Sequence, residues 1–259
     1  MKLLITGFDG YIGKHIVSSL KSKNIDYKKI QLNDLNTKHY SSTHLLHLQF
    51  YISKNKLKSF QKKNLNIIKK IINKCIKEKI TLIFFSTCSA DLKINDYIIS
   101  KKKCENEIIK FSKKKGLNYK ILRIYNVYSQ NLNARGVIPD LIKKMRNNKK
   151  ITLRYPDNVR DLIFVEDLIT MINKILKIKK SGILEVGTGK GTKITQIAKA
   201  IETQFNFNCK IINSNKRKSS KNFYSKANLK KNKSLINWYP KINLKKGLQK
   251  VYKLNKFYE

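Results

Sequence analysis

A tyrosine and a lysine stand four residues apart in the segment Tyr97-Ile98-Ile99-Ser100-Lys101. On a helix this spacing places both side chains on one face, so that the ammonium can act on the phenol. A free tyrosine has a pKa of about 10, and a cation within about 4–6 Å typically lowers such a pKa by about 1–3. Tyr97 is therefore a candidate to exchange a proton with a hydroxyl or a ketone. In a lysine-rich chain the same spacing also arises by chance.

Hydroxyl side chains follow the apolar segment 81–85, which is predicted as a buried strand. The segment continues as Ser86-Thr87-Cys88-Ser89. Functional sites of α/β proteins form at the carboxyl ends of sheet strands, where a hydroxyl can bind a reacting oxygen. The alternative is a polar strand end that satisfies its own backbone.

Three glycines, spaced as GxxGxxG, separate a short apolar segment near the N-terminus from an amphipathic stretch. A strand, a glycine loop and a helix present backbone N–H groups at the helix N-terminus, where the pyrophosphate of a dinucleotide binds. A plain turn is the alternative. The predicted cofactor-binding residues of this loop are Gly7, Gly10, Tyr11, Ile12 and Gly13. Asp34 lies 21 residues after Gly13, near the distance at which a carboxylate holds the ribose 2′-hydroxyl, which favours NAD and leaves NADP open.

Apolar patterning predicts the elements that position these residues. Strands are expected at 2–6, 29–33, 45–50, 81–85 and 118–124, with helices at 64–80 and 96–115 ending at Gly116. This alternation predicts an α/β fold, a doubly wound parallel sheet of Rossmann type with a small interleaved C-terminal lobe. Further helices are expected near 137–147 and 166–179, and strands near 151–154 and 182–186. We predict a dinucleotide-binding domain at 1–130, joined by a later strand and helix from about 155–190, and a substrate-binding lobe that makes up most of 131–259.

The composition excludes several classes of protein. The chain has 259 residues, 41% of them hydrophobic, which is enough for a core. No apolar run approaches the roughly 18–20 residues that span a bilayer, and the first residues lack the features of a secretory signal. The four cysteines and four histidines show no metal-ligand spacing, so we predict reduced thiols, no metal and a cytoplasmic location.

The formal net charge of +41 does not by itself indicate nucleic-acid binding. Only six of the 57 basic residues are arginines, and the lysines are spread along the whole chain. Arginine provides the bidentate contacts typical of base and phosphate recognition. Solvated lysine is therefore the favoured interpretation, with a selected polyanion-binding surface as the alternative.

Taken in order, these motifs resemble the extended short-chain dehydrogenase/reductase family, the NAD-dependent epimerases and dehydratases that act on nucleotide-linked sugars. The resemblance extends from Lys2 to about residue 250. It includes, besides the segments above, the motifs Leu122-Arg123-Ile124-Tyr125-Asn126, Val137-Ile138-Pro139, Val159-Arg160-Asp161, Val186-Gly187-Thr188-Gly189 and Trp238-Tyr239-Pro240.

The resemblance implies a role for individual residues. Tyr97 is the expected proton donor or acceptor, Thr87 the catalytic hydroxyl, and Lys101 the residue that binds the nicotinamide ribose and lowers the pKa of the tyrosine. Asn64, taken as the start of a helix, is an expected cofactor contact. Asn126, Arg160 and Arg217 fall where the family contacts the substrate diphosphate.

The chain also departs from the family pattern. Ten residues separate Asp34 from Leu45, too few for another crossover helix and strand. One βα unit is therefore expected to be missing from the edge of the sheet. The loop between Thr87 and Tyr97 is shortened as well. Cys88 and Ser89 replace the Asp-Glu pair of the dehydratases, and Gly136 replaces a histidine of the enzymes that make fucose, so both of those reactions are disfavoured.

The combined prediction is an NAD(P)-dependent nucleotide-sugar oxidoreductase of 4-epimerase or 4-ketoreductase type. The expected partner is a nucleotide-diphosphate sugar, in a homodimer without nucleic acid or membrane. Because loops are shortened, the alternative is a catalytically weakened NAD(P)-binding regulatory or sensor protein of the same fold.

Overall fold

The structure is a computed structural model that describes residues 2–35, 41–52, 57–92, 95–214 and 223–255. The chain divides into two compact units, each built from two separate stretches. The first unit comprises Met1–Ile124 and Ile172–Glu185, and the second comprises Tyr125–Met171 and Val186–Glu259. The chain therefore leaves the first unit, returns to it and leaves it again.

The described residues form strands and α-helices, each numbered in the order of the chain. The strands are β1 Leu3–Thr6, β2 Tyr27–Lys29, β3 His44–His47, β4 Thr81–Thr87, β5 Tyr119–Ile124, β6 Asn126–Tyr128, β7 Lys150–Leu153, β8 Val159–Phe164, β9 Gly182–Val186, β10 Gly191–Lys193 and β11 Lys210–Asn213. The α-helices are α1 Tyr11–Ser22, α2 Leu57–Lys77, α3 Asp96–Lys115, α4 Val137–Asn147, α5 Val165–Ile175, α6 Ile194–Phe205, α7 Lys230–Ile236 and α8 Leu244–Asn255.

The first unit is built on a six-stranded sheet in the order β2-β1-β3-β4-β5-β9. Strands β1 to β5 pair in parallel. Their carboxyl ends therefore share one edge, where ligands of doubly wound sheets bind. This sheet confirms the predicted fold class. Within the described residues β2 forms the edge, which agrees with the loss of a βα unit after Asp34.

One face of this sheet is sealed by α2 and α3. Apolar side chains of the central strands, among them Leu45, Leu82 and Phe84, pack with Ile68 and Ile72 of α2 in one buried cluster. Cys104 and Ile108 of α3 join the same cluster. Burying this surface stabilises the unit by the hydrophobic effect and fixes α3 over the end of β4.

Several sequence predictions in this unit are wrong in their boundaries, among them the strand expected at 45–50, which ends at His47. The second strand ends at Lys29, and Leu32–Leu35 form a 3-10 helix that contains Asp34. Asparagine and aspartate bind nearby backbone groups and so favour turns over strands. Helix α2 begins at Leu57, so that Asn64 lies inside it; the lysine- and glutamine-rich stretch before Asn64 has good helix propensity.

The second unit contains two small sheets and its own core. Strands β10, β8 and β6 form one sheet, and β11 pairs in parallel with β7 in the other. Side chains of α4, α6 and α8 pack around Phe164 and Tyr128. No helix among the described residues is both long and apolar enough to cross a membrane.

Candidate active site

The glycine loop follows β1 and leads into α1 through positions that tolerate no side chain. Gly7 has a φ of +68°, and a Cβ atom there would lie 2.4 Å from the backbone nitrogen of Gln49. A Cβ atom on Gly13 would lie 2.3 Å from the carbonyl oxygen of Gly7. Gly10 is the N-cap of α1, so this turn lies directly at the helix N-terminus. This cradle fits a pyrophosphate.

A buried histidine of β3, His47, connects that strand with the residue before the glycine loop. Nδ1 of His47 and Oγ1 of Thr6, the residue before Gly7, lie 2.6 Å apart. Burial, and to a lesser degree the charge of Lys101, lowers the pKa of His47 to about 3. The imidazole is therefore neutral at physiological pH, and it stacks on Phe84 with ring centroids 6.0 Å apart.

Tyr97 and Lys101 lie on the same face of α3, as predicted. Asn95 caps this helix by accepting a hydrogen bond from the N–H of Ile98 at 3.0 Å. Nζ of Lys101 lies 5.9 Å from the ring centroid of Tyr97 and 3.9 Å from that of Phe50. It donates a hydrogen bond to the carbonyl oxygen of Phe85 at 2.5 Å. The ammonium group is therefore held at the carboxyl end of β4.

The predicted effect of Lys101 on Tyr97 is wrong for this structure. Burial, followed by the nearby Cys88, raises the pKa of Tyr97 above its ordinary value. Lys101 is only 3% exposed, and burial lowers its own pKa to about 7. Because desolvation penalises both charged forms, it outweighs the attraction that the spacing alone predicts. Tyr97 is thus a phenol, suited to donate a proton.

Thr87 ends β4 and begins a tight turn. Its carbonyl oxygen accepts a hydrogen bond from the N–H of Ala90 at 3.1 Å, and its hydroxyl accepts one from the N–H of Ser89 at 3.4 Å. The N–H of Cys88 bonds to Ile124 of the neighbouring strand. Since Cys88 lies near enough to affect Tyr97, the structure brings the end of β4 and the start of α3 together.

Two further predicted cofactor residues lie in helix α2 and in the 3-10 helix. Asn64 donates to the carbonyl of Tyr51 at 2.9 Å and accepts from its N–H at 3.0 Å, so its side chain supports the chain after β3. Asp34 is half-buried in the 3-10 helix. Next to it opens a cavity of about 500 Å³ lined by Leu32, Asn33, Leu35, Tyr51, Lys62, Lys63, Asn66, Ile67 and Lys70.

The second unit brings two of the predicted substrate residues into one cavity. Asn126 and Arg160 both line a space of about 370 Å³, together with Lys144 and Arg154. Lys144 and Arg154 were missed because neither stands in a recognisable motif. The guanidinium of Arg160 lies 4.1 Å from the ring centroid of Phe223. Arg217 lies outside the described residues.

The residue after Arg160 is a buried carboxylate that joins several backbone segments of the second unit. Asp161 is fully buried and accepts hydrogen bonds from Thr188, Gly189 and Ala227 at 2.6–3.0 Å. A Cβ atom on Gly187 would lie 2.8 Å from this carboxylate. Among the described residues no group of three or more His, Cys, Asp and Glu side chains is placed to hold a metal ion.

Comparison with known proteins identifies the family. The model of the NAD dependent epimerase/dehydratase family matches residues 42–187, more than half of the chain. The chain belongs to this family. The predicted family, the enzyme class and the NAD(P) cofactor class are thereby confirmed. The match covers β3, the helix that carries Tyr97 and Lys101, and the first stretch of the second unit.

Individual relatives are distant. An ADP-L-glycero-D-manno-heptose-6-epimerase from Brachyspira hyodysenteriae is 24% identical over 254 residues, which cover 77% of this chain and 80% of that protein. A UDP-glucose 4-epimerase from Thermotoga maritima superposes with a TM-score of 0.84 at 22% identity over the full length of both chains. RMD from Pseudomonas aeruginosa, solved with NADPH, has a TM-score of 0.81 at 15% identity, covering 97% of each chain. The two structural likenesses establish the fold.

Proposed function

We propose that this protein is an NAD(P)-dependent nucleotide-sugar oxidoreductase of 4-epimerase or 4-ketoreductase type. The observation that carries the proposal is the placement of Tyr97 and Lys101 side by side on α3, with Nζ of Lys101 anchored at the carboxyl end of β4. A proton donor and a cation at the edge where dinucleotides bind are what carbonyl reduction requires. Family membership supports the same assignment.

The first unit is the proposed cofactor-binding domain. The pyrophosphate would be held at the N-terminus of α1, because the tight turn that Gly7 and Gly13 permit leads directly into that helix. Lys101 would bind the nicotinamide ribose. Asp34 and the adjoining 500 Å³ cavity would hold the adenosine end. The carboxylate favours NAD and the lysines of the cavity favour NADP, so comparing the Kd of NADH with that of NADPH decides between them.

A reduced nicotinamide bound here would supply the hydride for reduction of a sugar ketone. Tyr97 donates its phenolic proton to the oxygen of the sugar ketone, and its raised pKa keeps that proton in place at neutral pH. The hydroxyl of Thr87 would hold the same oxygen. Reduction of a ketone is the step that a 4-epimerase and a 4-ketoreductase share, and it needs neither of the acid and base residues that Cys88 and Ser89 replace.

The second unit is the proposed substrate-binding lobe. Three cations, one amide and the carboxylate of Asp140 line its 370 Å³ cavity. The cations outnumber the carboxylate, and such groups neutralise and orient a diphosphate. We assign Asn126, Arg160, Lys144 and Arg154 to this role, with Arg217 as a further contact. A nucleotide-diphosphate sugar is the substrate class that fits this set.

The test is turnover of UDP-, dTDP-, GDP-, CDP- and ADP-sugars by the wild type and by Tyr97→Phe. The substitution should lower the rate by orders of magnitude and leave NADH binding intact, because only the phenolic proton is lost. Tyr119→Phe, in β5 of the same unit, is the matched control. Wild-type activity in Tyr97→Phe would remove Tyr97 from the mechanism. Cofactor binding without turnover of any sugar in the panel would favour the regulatory alternative.

Cofactor retention, oligomeric state and nucleic-acid binding can each be tested without measuring turnover. Mass spectrometry of the purified protein should find retained NAD in an epimerase and no stoichiometric cofactor in a reductase. Light scattering tests the predicted homodimer. A filter-binding assay with nucleic acid should show no tight, steeply salt-dependent binding if the lysines only solvate the surface; cytoplasmic location likewise stays a prediction.

A further inference from the structure

A carboxylate that no part of the proposed reaction uses is buried beneath the candidate active site. Glu105 lies on α3, one turn after Lys101, and is 0% exposed. It accepts a hydrogen bond from the hydroxyl of Ser86 at 2.6 Å. It also accepts from Nε and Nη2 of Arg123 at 3.1 and 2.7 Å. Glu105 therefore joins α3 to the ends of β4 and β5.

The same arginine also holds the loop after Thr87. Nη1 and Nη2 of Arg123 donate to the carboxylate of Asp91 at 2.5 and 3.2 Å. Nζ of Lys102 donates to Asp91 at 2.6 Å. Thr87 is therefore flanked by two attachments, Ser86 directly before it and Asp91 four residues after it. Ser86 bonds directly to Glu105, and Asp91 is connected to Glu105 through Arg123.

The charges of this network balance, which makes its loss costly. Two carboxylates, Glu105 and Asp91, face two cations, Arg123 and Lys102. A buried carboxylate is tolerated only when paired and hydrogen-bonded, and removing one partner of such a set leaves an uncompensated charge. Bidentate contacts of the guanidinium fix geometry as well as charge. The buried part of the network, Glu105 with Arg123 and Ser86, therefore holds the residue before Thr87, whereas the ion pairs of Asp91, which is 59% exposed, contribute less.

We propose that Glu105 is a positioning residue, which sets the end of β4 carrying Thr87 against the helix face carrying Tyr97 and Lys101. The catalytic consequence rests on the proposed function, whereas the structural coupling does not. Glu105 touches neither of the groups proposed to react. It acts through Ser86 on one side and through its own helix on the other.

The position of Glu105 also has an electrostatic consequence for Lys101. Residues four apart on a helix are neighbours, and the carboxylate of Glu105 favours the charged form of the lysine against the effect of burial. Replacing the carboxylate by an amide of equal size should therefore lower the pKa of Lys101. A substitution that only loosened the packing would instead expose Lys101 and raise its pKa, because burial is the main cause of the lowered value.

The experiment titrates Lys101 in protein labelled with ε-¹³C lysine, which requires no substrate. The resonance of Lys101 is identified by its absence in Lys101→Met, and in the wild type it should titrate near pH 7. In Glu105→Gln its pKa should fall by about one pH unit. Glu107→Gln, half-buried on the same helix, is the matched control and should leave the resonance unchanged. No shift in Glu105→Gln, or an equal shift in the control, would overturn the proposal.

A second arm measures kcat and KM with the panel sugar that the wild type turns over. Glu105→Gln should lower kcat about tenfold or more, since small displacements of reacting groups are costly, with KM little changed. If Glu105→Gln does not fold, Ser86→Ala takes its place as the test. This variant removes only the hydrogen bond between Glu105 and β4, and it should still lower kcat. Wild-type kcat in Ser86→Ala would contradict positioning through β4. Absence of turnover in the wild type would instead defeat the proposed function and leave the titration result standing.

Discussion

Replacing Lys101 by methionine should remove a pH-dependent cost that the wild-type fold carries. Burial lowers the pKa of Lys101 from 10.5 to about 7, because transfer of an ammonium out of water disfavours its charged form. Between these two values the unfolded chain binds more protons than the folded chain. The free energy of unfolding of the wild type therefore receives from Lys101 a contribution that rises with pH across this window.

The size of the effect follows from the two pKa values. Lys101 destabilises the fold by about 4 kcal/mol at pH 7 and by about 2 kcal/mol at pH 9. Methionine retains an unbranched apolar side chain against the rings of Phe50 and Phe84 and carries no charge. The stability advantage of Lys101→Met over the wild type should therefore shrink by about 2 kcal/mol from pH 7 to pH 9.

The assay is denaturant unfolding followed by circular dichroism at pH 7, 8 and 9, with the free energy obtained by linear extrapolation. Lys110→Met replaces an exposed lysine of the same helix. Its free energy of unfolding should change with pH in the same way as that of the wild type. If the free energy of unfolding of Lys101→Met also changes with pH as the wild type's does, Lys101 keeps an ordinary pKa in the folded protein. The argument from burial is then refuted. Lys101→Met should also lose activity, so that stability and function oppose one another at this position.

Three further substitutions test other parts of the structure. Gly13→Ala should abolish measurable NADH binding by fluorescence, because its methyl group would lie 2.3 Å from the carbonyl oxygen of Gly7. Asp161→Asn should destabilise the protein by about 3 kcal/mol in denaturant unfolding, since an amide cannot accept all the hydrogen bonds of the buried carboxylate. Phe223→Leu should raise KM for the nucleotide sugar about threefold or more at unchanged kcat, because the ring that holds the guanidinium of Arg160 is lost.

Each of these substitutions has a control or a contradicting result. Gly182→Ala meets no atom within 4 Å and should retain NADH binding; equal losses in both glycine variants would show a general effect on folding. Asp157→Asn alters an exposed carboxylate paired with Lys193, and a loss of stability as large as that of Asp161→Asn would contradict the burial argument. A fall in kcat at constant KM for Phe223→Leu would place its effect outside substrate binding.

Local sequence signals predicted the helix that carries the candidate site. Helix α3 spans Asp96–Lys115, as the pattern indicates, and it ends at Gly116 with a φ of +65°. Asn95 at the N-cap and glycine at the C-cap act on their own helix, so no distant contact is needed to set these bounds. The four-residue spacing of Tyr97 and Lys101 likewise determines a shared face. The three glycines of the loop likewise lie close together along the chain, so their spacing could be recognised without tertiary information.

Segments without such signals were predicted less well. The polar residues around Asp34 adopt a 3-10 helix where a strand was expected. Helices α6, α7 and α8 and the short strands β6, β8, β10 and β11 were not predicted. Short strands in the second unit exist because they pair with distant partners, as β7 does with β11. Pairing of this kind depends on tertiary contacts more than on propensity.

The amino-acid sequence by itself determined the family, the alternation of strands and helices, and which side chains share a helix face, because these depend on periodicity and on neighbours along the chain. Only the tertiary structure decided the electrostatics. It revealed that burial raises the pKa of Tyr97 and lowers that of Lys101, and it joined Glu105 to Ser86 and Arg123 across 18 or 19 residues. Solvation and pairing of a charge depend on what packs around it, and spacing along the chain does not encode that.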